Sequence, residues 1–195
     1  MNFSENISNK LTEIITNELD LNSDKKEIIA YAIENLLLFL LGVSSLVLLG
    51  VFSNALMAIL VAAAFGGLLR RVSGGAHFNT PSKCLVFGSF IYTSIGILAK
   101  KMVEYKLFSS EDALYIILSI CLIMIVLLAP VDSESKPINS IHFKRNLKML
   151  SIVFIIMTFI VVYLTENLLF SVSAVMGVFY QCVTLLPIFN KKEVK

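Results

Sequence analysis

Six stretches of this chain are apolar for long enough to cross a lipid bilayer: residues 31–51, 54–69, 84–99, 113–130, 147–164 and 168–189. A helix rising 1.5 Å per residue needs about 17 to 25 residues to cover the hydrocarbon core, where each backbone N–H and C=O must be satisfied within the protein. Together the six stretches take 111 of the 195 residues. With 57% hydrophobic and only 15% charged residues, against about 25% charged in a soluble domain, the chain reads as an all-α, polytopic membrane helix bundle of about six transmembrane helices. One domain is expected over 1–195, with an amphipathic segment over 1–22, the bundle over 23–189 and a basic tail over 190–195. The second and third stretches are short, at 16 residues each, and are expected to be reinforced by neighbours, to tilt little, or to dip in without a regular crossing.

Charge placement orients the bundle. With both termini in the cytoplasm, only Lys100, Lys101 and Lys106 fall outside and every other lysine and arginine falls inside, as the positive-inside rule requires. The polar N-terminus does not read as a cleavable secretory signal. A cell-membrane location with lipid as the surrounding partner follows, and no nucleic-acid partner is expected.

In the N-terminal segment, Phe3, Ile7, Leu11, Ile14, Ile15 and Leu19 recur at three- and four-residue steps, the period of an amphipathic helix. Its charged face carries Glu5, Glu13 and Glu18 against Lys10. Such a helix anchors in the headgroup layer or packs on a partner. Ser23-Asp24, with Glu27 following, offers an N-cap for the first long helix. Glu34 and Asn35 sit near its polar end, and Gln181 lies deeper in the last span, where an amide needs a hydrogen-bond partner.

Three cysteines, Cys84, Cys121 and Cys182, are an odd number with no C-x-x-C spacing, so neither a disulfide framework nor a structural zinc site is expected. Cys121 and Cys182 fall inside apolar spans, where cysteine behaves as a small hydrophobe. Cys84 is different: it closes the polar interruption "GGAHFNTPSKC" between two spans. His77 stands seven residues earlier, about 10 Å away along the axis of a continuous helix and too far for proton transfer. Thr80-Pro81, however, reads as N-cap and first helical position of a new helix. That break lets the chain fold back, Gly74 and Gly75 give the preceding loop backbone freedom, and Cys84 falls in a helical first turn. A helix N-terminus and a neighbouring imidazolium both favour thiolate, so the pattern fits a Cys-His nucleophilic pair with His77 as base. His142 lies in a distant loop, and one His with one Cys is half a metal site, so no metal is expected. Gly66-Gly67 and Gly74-Gly75 lack the lysine and spacing of a phosphate loop, and no cofactor is expected.

"RRVSGGAHFNTPSKC", followed by Ser89, resembles the signature of the accessory gene regulator B family, the membrane cysteine endopeptidases that process quorum-sensing propeptides. The Gly-Gly-x-His to Cys spacing and an "AP…KPI" loop over 129–138 carry the likeness. The resemblance implies that Cys84, activated by His77, cleaves a short propeptide, releases its acidic C-terminal tail and keeps the rest as a thioester. An internal Cys or Ser of the substrate then closes a thiolactone or lactone, without ATP. Oxyanion donors would be backbone N–H groups of the Cys84 helix, with Arg70, Arg71 or Gln181 as further candidates; Asn79, Ser73 and Ser89 are candidates to orient His77. Gly75 and Lys136 complete the supporting set. Asp132 and Glu134 beside Lys136 weaken that loop's grip on an acidic tail, and the basic residues Lys136, Lys144, Arg145 and Lys148 also satisfy the topology rule alone. A homodimer is implied by the family and by the amphipathic helix. The rival classes are a small exporter of peptide or lipid, which the lack of an inverted repeat and of deep charge relays disfavours, and a membrane scaffold.

Overall fold

The computed structural model describes residues 3–16, 22–75, 81–107, 112–131 and 140–190. They form seven α-helices in chain order: α1 (Phe3–Thr16), α2 (Ser23–Phe52), α3 (Leu56–Ser73), α4 (Pro81–Glu104), α5 (Asp112–Leu128), α6 (Ile141–Leu164) and α7 (Leu168–Thr184). Each of the six apolar stretches becomes one helix, α2 to α7. Four of them, α2, α3, α4 and α6, are long and apolar enough to cross a membrane, while α5 and α7 have 17 residues each.

The order of lengths differs from the sequence expectation. The second and third stretches are not the short helices: α3 has 18 residues and α4 has 24, because Arg70 and Arg71 join the end of α3, Lys83 the start of α4, and Lys100, Lys101 and Glu104 its end. The fourth and sixth lose residues instead. α5 stops before Ala129-Pro130 and α7 before Pro187, where proline cannot continue the ladder. α2 begins at Ser23 with Asn22 at the N-cap and no side-chain cap bond, so neither Ser23 nor Asp24 caps it. Caps do form at α6, where Ser140 Oγ accepts from Phe143 N at 3.4 Å, and at α7, where Asn167 Oδ1 accepts from Phe170 N at 3.1 Å.

α1 forms as its periodicity predicts and folds back along α2, but it turns its hydroxyl side inward. Ser8, Thr12 and Thr16 are buried, and Ser8 Oγ donates to the Ala30 carbonyl of α2. Thr12 and Thr16 donate to carbonyls one turn back, Ser8 O and Thr12 O. Ile14 and Ile15 face outward, 71% and 53% exposed. Small hydroxyl residues at this contact let the two helices approach closely.

α7 is the central helix, and Val172, Val175, Val178 and Cys182 are fully buried against α3, α5 and α6. α2 is the opposite case, with Leu36, Phe39, Leu40, Leu41 and Leu48 all more than half exposed to the surroundings. α3 and α7 cross at their smallest residues. A Cβ at Gly177 would collide with the Ala62 carbonyl oxygen, and one at Gly66 would stand 2.7 Å from the Gly177 oxygen. Without a hydrophobic force between helices in lipid, such backbone contact supplies the dispersion energy that holds them.

Candidate active site

Cys84 lies in the first turn of α4, half-buried and free, whereas Cys121 and Cys182 are buried in the core. The Cys182 thiol packs on the Cys121 carbonyl at 3.8 Å. Pro81 opens α4 at the position read for it, so Cys84 belongs to a first turn whose N–H groups have no partner within the helix. His77, Asn79, Thr80 and Lys136 lie outside the described residues.

The turn before His77 is held, not loose. α3 ends at Ser73, and Gly74 and Gly75 follow with φ of 70° and 128°, backbone conformations that glycine adopts without strain. Gly74 pairs with Val131 in a parallel bridge, and Val131 N donates to Ser73 O at 3.0 Å. A side chain at Gly74 would run into the Val131 carbonyl, and a Cβ at Gly75 would stand 2.8 Å from Thr184 Oγ1 and 3.2 Å from Gln181 Nε2. Sequence reasoning assigned the two glycines to backbone freedom, which their positive φ values use; the structure adds that they are required for a close fit between α3, α7 and the segment after α5.

Gln181 drives the clamp. Completely buried in α7, it donates from Nε2 to Ser73 Oγ at 3.0 Å and to Gly74 O at 2.7 Å. Ser73 Oγ in turn donates to Leu69 O at 2.9 Å, and Thr184 Oγ1 to Gln181 O at 2.7 Å. The buried amide and the glycine turn, far apart in sequence, thus form one unit directly upstream of the histidine. Gln181→Leu removes both donors and leaves the Gly74 carbonyl without them. Loss of about 1–3 kcal/mol is expected, measurable as a lower thermal midpoint in detergent.

Other candidates are distributed around this unit. Tyr92 of α4 and Tyr180 of α7 meet edge-on, their ring centroids 5.7 Å apart. Arg71 is exposed at the end of α3. Ser89 is buried against α2, where its hydroxyl bonds the Ser45 hydroxyl at 2.7 Å; five residues from Cys84, it points to another side of α4. Sequence reading did not single out this Tyr92–Tyr180 pair. The four-residue steps from Cys84 through Gly88 to Tyr92 were the available signal for the first, and Tyr180 had none beyond its place next to Gln181.

The Accessory gene regulator B family matches residues 8–185. An AgrB-like protein of Clostridium perfringens (strain SM101 / Type A) is 30% identical over 199 residues, covering 95% of this chain and 92% of that protein. A second AgrB-like protein, from strain 13 / Type A of the same species, is 32% identical over 198 residues with the same coverage. Accessory gene regulator protein B of Staphylococcus haemolyticus (strain JCSC1435) is 28% identical over 126 residues, covering 65% of this chain and 63% of its own. No solved structure matches the chain. A helical bundle with these spans, matched by the family over nearly its whole length, is a membrane protein that belongs to the accessory gene regulator B family of quorum-sensing regulation.

Proposed function

We propose that this protein is a membrane cysteine endopeptidase that removes the C-terminal tail of a quorum-sensing propeptide and cyclises what remains. The observation that carries the reading is the placement of Cys84. Its half-buried thiol sits in the first turn of α4, nine residues in sequence after a clamped turn that ends two residues before His77, while the other two cysteines are sealed in the core.

His77 takes the Cys84 proton, and the thiolate attacks the scissile carbonyl carbon. The S–C bond forms, the C–N bond breaks, and His77 returns the proton to the leaving amine. The acyl segment is then a thioester on Cys84. A thiol or hydroxyl within the segment attacks the same carbonyl, the S–C bond breaks, and the ring leaves as a thiolactone or lactone with the Cys84 thiol restored. Water excluded between helices protects the thioester from hydrolysis. Arg71 and Arg145, exposed at the end of α3 and the start of α6, together with Lys136, supply positive charge for an acidic tail. The active site faces the cytoplasm in this reading, both termini lie on that side, and the protein acts as a homodimer.

Incubation of the reconstituted protein with the peptide encoded by the small open reading frame beside its gene tests this. Release of the tail and of a cyclic peptide is expected, falling about 10³-fold or more in His77→Ala, as for other loss of a catalytic base. Passage of intact peptide across the liposome, unchanged in Cys84→Ala, supports export instead.

A further inference from the structure

The bundle carries an open groove at the end away from Cys84. α4 holds Cys84 in its first turn and Lys100 near its last, about 24 Å apart along the helix. Lys100 borders a groove of about 410 Å³, lined also by Val51 at the end of α2, Asn54 in the turn that follows, Leu56 and Met57 at the start of α3, and Leu169 in the first turn of α7. That volume is in the range of small-molecule sites. The walls are mostly apolar, and Val51 and Met57 are 59% and 66% exposed, so the groove opens outward at the rim where these helices begin and end.

Polar donors meet at its head. Lys100 Nζ donates to the Asn54 carbonyl at 2.8 Å, which fixes the ammonium on the groove wall. An ammonium has three N–H groups. The carboxylate beside it, Glu104 Oε1, stands 3.7 Å away on a side chain that is 57% exposed, where water weakens the pair. α3 adds to the positive charge that Lys100 brings. It opens on Ala55 with no side-chain cap bond, and its first ladder bond runs from Ile59 N to Ala55 O at 3.0 Å. The N–H groups of Leu56, Met57 and Ala58 therefore precede the ladder, and all three residues line the groove.

An apolar wall under a cationic, donor-rich head suits a ligand with an anionic head on an apolar body. A cation is repelled by Lys100, a wholly apolar molecule strips water from the ammonium without replacing it, and a free anion leaves the apolar wall uncovered. The bilayer around a membrane protein offers the right molecule at this level, a phospholipid with its phosphate at the rim and its chains beside the helices. A zwitterionic lipid carries its own cation, which competes with Lys100 for the phosphate; an anionic one does not.

The geometry points to a site for one anionic phospholipid, its phosphate accepting from Lys100 Nζ and from the first N–H groups of α3, and an acyl chain lying along Val51, Leu56, Met57 and Leu169. Such a lipid ties the α2–α3 turn, the end of α4 and the start of α7 together at the rim remote from Cys84, independently of the chemistry there.

The chain contains no tryptophan, so Met57→Trp places a single fluorescent indole on the groove wall. The full-length variant is reconstituted in mixtures of phosphatidylglycerol and phosphatidylcholine in which one lipid or the other carries bromine on its acyl chains, and quenching gives their relative affinity at the groove. Phosphatidylglycerol is expected to be preferred about fivefold, the effect of one lysine at a lipid surface. Adding Lys100→Gln removes the preference. Adding Lys101→Gln, which deletes the same charge from an exposed neighbour outside the groove, keeps it. Glu104→Gln leaves the Lys100–Asn54 bond in place and removes the competing carboxylate, so it raises the preference without touching the fold. Sodium phosphate and sodium chloride at equal ionic strength act alike, because free phosphate has no chain to fill the groove. Equal quenching by the two lipids overturns the proposal, as does a preference that survives Lys100→Gln, one lost equally in Lys101→Gln, or a fall in Glu104→Gln. Relief of quenching by phosphate beyond that by chloride overturns the lipid and gives the anion site to free phosphate.

Discussion

Replacing Cys84 by alanine is expected to abolish propeptide cleavage, by about 10⁴-fold or more, while the protein stays folded in the membrane. The magnitude follows from what the thiol does. Removing a nucleophile deletes the covalent route entirely, and only binding and oxyanion contacts remain to accelerate attack by water, which the helices exclude. The fold is spared because Cys84 is half-buried at a helix end and lies outside the packed core. Cys121→Ala and Cys182→Ala make the converse pair. They shave a buried side chain from the core, cost stability through the cavity left behind, and retain cleavage. Cleavage assays alongside thermal melts of the three variants separate the roles; appreciable cleavage by Cys84→Ala contradicts the assignment.

The second large effect falls on the scaffold. Gly177→Ala is expected to destabilise the bundle by about 3 kcal/mol, because the added Cβ meets the backbone of Ala62, with its carbonyl carbon and Cα both at 2.9 Å. A flexible side chain could rotate away, but the α3 backbone cannot. Separation of α3 and α7 at this crossing also pulls Gln181 from Ser73 and Gly74, so activity falls together with stability. Gly67→Ala is the matched control: its Cβ has open space, and alanine favours the helix over glycine by about 0.5–1 kcal/mol. A fall in the thermal midpoint of about 6–12 °C is expected for Gly177→Ala and a small rise for Gly67→Ala. Equal midpoints for Gly177→Ala and the wild type contradict the close crossing.

The sequence made the helices legible because lipid allows little else for an apolar run, and Pro81 and Pro130 marked two boundaries correctly. It hid the helix lengths, since Arg70, Arg71, Lys100 and Lys101 look like loop residues yet continue the ladders of α3 and α4. Periodicity also showed that α1 has two faces but not which one faces protein. Ser8, Thr12 and Thr16 take the inner side, where Ser8 bonds the α2 backbone, and Ile14 and Ile15 face out.

At the site, local spacing singled out Cys84, which the structure places half-buried in the first turn of α4, while His77 lies outside the described residues. The clamp was invisible for the opposite reason: Val131, Gln181 and Thr184 meet Gly74 and Gly75 only through the tertiary fold. Gln181 could be recognised as needing a partner, but no local pattern could name Ser73 and Gly74 as the ones it finds. Tyr92 was within reach of a four-residue count from Cys84, whereas its missing hydrogen-bond partner appears only once three helices are in place.

The central claim is that Cys84 carries the substrate covalently. Brief incubation with the propeptide, acid quench and mass analysis of the protein reads that species directly. The expected result is a mass increase equal to the substrate without its tail and without one water, located on Cys84 and removed by hydroxylamine. Turnover that leaves Cys84 unmodified under conditions that trap acyl-enzymes, or an adduct on Cys121 or Cys182, contradicts it.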